Sequence, residues 1–126
     1  MSGKDEVVRC FDALNRGDPK AFLDLFDPEI ELFVPAWTGP DGGVHRGADE
    51  VNRFYGNYFA QWADQRWELG DMFEHGPSVV FVGHWTGKGR RSGVRLNGQF
   101  MGVMTFSEGR LVSIVHLGNF DDLTAQ

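Results

Sequence analysis

The chain has 126 residues, 41% of them hydrophobic and 24% charged, with a net charge of −6 and a pI of about 5.1. That balance fits one soluble globular domain spanning residues 1–126, large enough for a core and a cavity. No basic cluster exceeds Lys88-Gly89-Arg90-Arg91, which excludes a nucleic-acid footprint, and no apolar run is long enough to span a membrane.

The opening MSGKDEVV is too polar for a secretory signal, and Cys10 stands alone, so neither a disulfide framework nor a cysteine-based zinc site is expected. Both features point to a cytoplasmic protein.

In chain order, residues 5–15 read as a helix, with Val7, Val8, Phe11 and Leu14 on one stripe and Asp5 and Glu6 at its positive end. Gly17-Asp18-Pro19 ends that helix and starts a second over residues 20–26, which stops at Asp27-Pro28. Residues 29–34 alternate as a half-buried strand, with Ile30, Leu32 and Val34 on one face. A loop carrying Trp37 follows, and Val44-His45-Arg46 reads as a short strand.

Residues 48–64 predict a long helix whose broad face holds Val51, Phe54, Tyr55, Tyr58, Phe59 and Trp62. A strand over 66–74 places Trp67, Leu69 and Phe73 in phase, together with Asp71 unless a bulge intervenes. Residues 78–120 are rich in β-branched and aromatic residues joined by Gly-rich segments, and they predict a three-stranded antiparallel meander. Ser107-Glu108-Gly109-Arg110 marks its tight turn. Helices on one side of such a sheet define an α+β fold.

Three stretches carry a family resemblance: DALNRGDPKAFLDLFDPEIEL (12–32), HRGADEVNRFY (45–55) and WTGKGRRSGVRLNGQFMGVMTFSEGRLVSIVHL (85–117). In that order they resemble the SnoaL-like group of the nuclear transport factor 2-like superfamily. The resemblance implies an α+β cone, three N-terminal helices against a strongly bent mixed or antiparallel sheet, and a homodimer packed through the outer sheet face. It also implies a function of cyclase, isomerase, dehydratase or non-catalytic binding type.

Matched position by position, Cys10, Val34 and Gly102 stand where ketosteroid isomerases keep a Tyr, an Asp base and a donor Asp, so that mechanism is rejected. Gly118 stands where polyketide cyclases keep an Asp, with Asp121 and Asp122 near by. Arg95 and Asp71 supply two of the three residues that limonene epoxide hydrolase needs.

His116 is the first candidate for acid–base work, because period-two alternation puts it on the face of Gly102 and Ile114. The alternative is a structural histidine bonded to a tyrosine or a strand. His84 and Asp71 are the further catalytic candidates; together with a second histidine they form a conceivable metal site, but no recognised spacing supports it, and neither metal nor cofactor is expected. Candidate substrate contacts are Phe33, Trp37, Tyr55, Tyr58, Trp62, Arg95, Phe100, Met104 and Asn119. The expected partner is a small apolar or cyclic molecule. Asp41 lies in a turn sequence, and Cys10 reads as interior and inert.

Overall fold

Ser2 starts the first helix with a capping box: its hydroxyl accepts from the Asp5 N–H at 3.2 Å and its own N–H donates to the Asp5 carboxylate at 3.3 Å. In this computed structural model, which describes residues 2–35, 42–117 and 124–125, that helix is α1 (Gly3–Asn15). Asp18 caps the short α2 (Pro19–Leu23) by accepting from the N–H groups of Lys20 and Ala21. The expected second helix is therefore cut short. Phe26 instead opens β1 (Phe26–Val34), because Leu25 O accepts from the Leu111 N–H and draws the chain into the sheet.

β2 (Gly43–Arg46) leads into α3 (Ala48–Gln61), which ends three residues earlier than expected. Trp62 is consequently the first residue of β3 (Trp62–His75) and does not lie on the helix face. β4 (Ser78–Gly89), β5 (Arg95–Ser107) and β6 (Arg110–His116) form the anticipated meander, and β7 (Thr124–Ala125) adds a short pairing to Leu96 and Asn97. Glu108 and Gly109 both have positive φ (52° and 77°) at the β5–β6 turn, the geometry a two-residue hairpin favours.

The sheet order is β2-β1-β6-β5-β4-β3, with β7 on β5. All neighbours are antiparallel except β1 and β6, which run parallel, so the sheet is mixed. The pairing of consecutive strands was legible in the meander, whereas β1 reaches β6 across most of the chain. β3 carries two one-residue bulges against β4, between Ala63 and Arg66 and between Leu69 and Met72. Each adds local twist and bends the strand around the helices.

The second bulge also resets the side-chain phase. Met72 turns inward, and Phe73, expected in the core with Trp67 and Leu69, is 63% exposed. The core lies between α1, α2, α3 and the inner sheet face, with Val7, Phe22, Ile30, Leu32, Val51, Met104, Leu111 and Ile114 almost fully buried. No described helix is long and apolar enough to cross a membrane.

Candidate functional site

His116 is the last residue of β6 and pairs with Gly102 of β5, which in turn pairs with Phe81 of β4. Its Nε2 lies 3.0 Å from the Tyr55 hydroxyl on α3. Tyr55 is held edge-on between Phe22 (5.0 Å) and Phe54 (5.2 Å), so the phenol has little freedom to leave. Burial pushes the imidazole down to about 4 and raises the Tyr55 phenol, the latter also against Tyr58 and Cys10. Both groups are neutral near pH 7. No charged side chain is buried among the described residues, so the pair sits in an uncharged setting.

Beside it runs an aromatic row. Phe11 stacks on Phe100 with ring centroids 5.3 Å apart and meets the edge of Phe81 at 5.2 Å. Phe100 meets Trp67 at 5.3 Å; Trp67 meets Trp85 at 6.4 Å, and Trp85 meets Trp62 at 4.9 Å. Two glycines make room for these rings. A Cβ on Gly83 would lie 2.2 Å from Phe100 Cζ and 2.4 Å from Glu68 O, and one on Gly102 would lie 2.7 Å from Phe81 Cζ. Side chains at these positions would displace the rings from the inner face.

Asn15, the last residue of α1, ties the row to the helix: its Nδ2 donates to Trp67 O at 2.9 Å and its Oδ1 accepts from Trp67 N at 2.7 Å. Nothing in the sequence marked Asn15, because a helix-terminal asparagine reads first as a local cap. A cleft of about 230 Å³ opens where α1 ends, lined by Leu14, Asn15, Arg16, Phe59, Trp62 and Arg90 among others. Trp62 belongs to both the cleft wall and the aromatic row.

The candidates therefore separate. His116, Tyr55, Tyr58, Phe100 and Met104 face inward, and Trp62 stands at the cleft. Phe33 is corrected to the outer face at 42% exposure, since it alternates with buried Leu32 and Val34. His84, paired with Glu68 and Gln99, is exposed between inward-facing Gly83 and Trp85. Asp71 is exposed within the second bulge, and Arg95 is exposed at the start of β5, 3.7 Å from Asp64. These three do not converge on His116. Cys10 is interior, its thiol pushed up to about 12 chiefly by burial, and so inert as a nucleophile. Trp37, Asp41, Gly118, Asn119, Asp121 and Asp122 lie outside the described residues.

Solved structures share this fold. The Δ5-3-ketosteroid isomerase from Mycobacterium sp. superposes with a TM-score of 0.83 at 16% identity, covering 100% of both chains. RV0760c from Mycobacterium tuberculosis, in complex with estradiol-17β-hemisuccinate, gives 0.83 at 14% identity over 98% of this chain and 99% of that one. The epoxide hydrolase/cyclase-like enzyme SalBIII of salinomycin pyran-ring formation gives 0.85 at 18% identity over 98% and 95%. No curated protein matches the sequence significantly. The SnoaL-like domain model matches residues 7–114, most of the chain, and the protein belongs to that family.

Proposed function

We propose that the interior binds a flat, apolar cyclic molecule and that His116 and Tyr55 act on it as a cofactor-independent acid–base pair of the isomerase, cyclase or dehydratase type. The observation that carries this reading is the 3.0 Å contact between His116 Nε2 and the Tyr55 hydroxyl in an otherwise apolar setting. With Nε2 protonated, the neutral imidazole donates to the Tyr55 oxygen, which leaves Nδ1 as the acceptor nitrogen and the phenol proton, held by its raised pKa, as a donor for substrate. The pair can thus polarise a substrate oxygen and move a proton without a metal or cofactor. Relatives of the same fold that act on or bind steroids, or belong to polyether ring formation, support the substrate class.

The test is direct. His116→Ala should abolish turnover while leaving Tm within a few degrees; loss of the fold instead would assign His116 a structural role. Activity in the wild type should persist down to roughly pH 5 and fall as pH passes through about 4, where the imidazole takes up its proton. A fall centred near 6.5 would remove His116 as the base.

A second reading, a ligand-binding module without chemistry, is favoured by two observations: His116 is bonded to the Tyr55 hydroxyl, the arrangement expected of a structural histidine, and Val34 and Gly102 are apolar and Asp71 faces out, so the pair has no carboxylate partner among the described residues. It predicts that polycyclic or lactone ligands raise stability by about 2.7 kcal/mol at a hundredfold excess over Kd, with no product formed and with His116→Ala binding them unchanged.

A homodimer through the outer sheet face belongs to the same proposal. Val44, Phe33, Val115, Val103, Val80 and Phe73 stand opposite one another in register, one from each of six strands. Such an apolar stripe is the surface a second copy would cover. A cytoplasmic location fits a single free, buried cysteine.

A further inference from the structure

Trp67 Nε1 is the one buried side-chain nitrogen or oxygen among the described residues that lacks a hydrogen-bond partner. The residue is 9% exposed, and its ring is enclosed by Phe11 at 6.0 Å, Tyr58 at 5.9 Å, Phe100 at 5.3 Å and Trp85 at 6.4 Å. The neighbouring Trp85 shows the ordinary outcome, with its Nε1 donating to Gln65 Oε1 at 3.2 Å. Burying an indole N–H without an acceptor costs stability, and a phenylalanine would fill much the same space without that cost. Asn15 meanwhile holds both the N–H and the C=O of Trp67, which fixes the strand against sliding to pair the nitrogen elsewhere.

We infer that Trp67 is a specificity-determining donor whose indole N–H receives a neutral oxygen acceptor, a carbonyl or ether, on a planar ring ligand. This inference rests on the reading of the aromatic interior as a ligand site. A planar ring ligand matches the row because Phe100, Trp67 and Trp85 meet edge to face, the packing that a further flat ring extends. A neutral acceptor matches it because no charged side chain is buried among the described residues, so a carboxylate here would lose its hydration uncompensated. The cleft at the end of α1 meets this row at Trp62, whose ring centroid lies 4.9 Å from that of Trp85.

The experiment is a titration of the ¹⁵N-labelled full chain with 9-fluorenone and with fluorene, which share a shape and differ in one carbonyl. Four tryptophans give four indole resonances, and the one missing in Trp67→Phe identifies Trp67. Fluorenone should move that resonance downfield and fluorene should not. Trp67→Phe should weaken fluorenone about fivefold and leave fluorene within about twofold, the discrimination one neutral hydrogen bond supplies. If the variant does not fold, the wild-type shift decides alone, with Trp67 assigned through its contacts with Phe11 and Phe100. Equal movement by both compounds, or equal weakening of both, would mean the ring only packs and would overturn the inference alone. If neither compound perturbs any indole, the interior is not a ligand site, and both readings fall together.

Discussion

Leu32, Ile114, Met104 and Val79 follow one another across four strands on the inner face, and each is at most 2% exposed. One position along the same strands, Phe33, Val115, Val103 and Val80 make the matching row outside, where Phe33 is 42% exposed and the valines are half-buried. The two rows share backbone, register and apolarity. They differ in what covers them. The helices seal the inner row, and beyond it the inner face turns to His116, Gly102 and Phe81, where glycines admit aromatic rings and the Tyr55 contact is made. The outer row, three valines and Phe33, has no helix over it. A sheet of this kind separates a helix-covered side from an open side by the two-residue period alone.

The strongest way to break this comparison is to truncate neighbours on β6. Ile114→Ala should cost about 2–5 kcal/mol in denaturant unfolding, through lost transfer energy and a cavity. Val115→Ala should cost less than about 1 kcal/mol in the monomer. A comparable loss for Val115 that grows with protein concentration would show the outer row buried in a dimer.

The pH dependence of stability sharpens the inner side. Unfolded, the His116 ring takes up its proton near 6.5; folded, near 4. Between those values the unfolded state holds more protons, so stability falls as pH drops from 6.5 to 4, stays lowest below 4, and is unaffected by this group above 6.5. The loss is at most about 3 kcal/mol, and His116→Gln should flatten that part of the curve. Gly83→Ala should cost about 1–3 kcal/mol by overpacking Phe100 and the Glu68 carbonyl. Smallest of all, Phe73→Ser on the outer face should change monomer stability by under about 0.5 kcal/mol while shifting sedimentation toward the monomer. An unchanged sedimentation profile would place the association surface elsewhere.

Local chemistry made much of the fold legible. The capping residues, the Gly-Asp-Pro junction, the Glu108-Gly109 turn and the alternation along residues 29–34 each depend on neighbours a few positions away. The same alternation puts Phe33 on the face opposite Leu32 and Val34, and the expectation that it contacts a substrate runs against that pattern. Period two counted from Gly102 and Ile114 turns His116 inward and allows a tyrosine partner, but it does not single out Tyr55, which lies 61 residues away on a helix whose rotation the sequence leaves open.

The sequence by itself determined the order of elements, the meander and the apolar faces, since periodicity and turn chemistry are local. Only the tertiary structure decided that β1 runs parallel to β6, that the second bulge of β3 turns Asp71 and Phe73 outward, that Asn15 grips Trp67 and that its indole nitrogen is left unpaired. Those outcomes depend on contacts between residues distant in the chain, where one extra residue in a strand reverses every side chain beyond it.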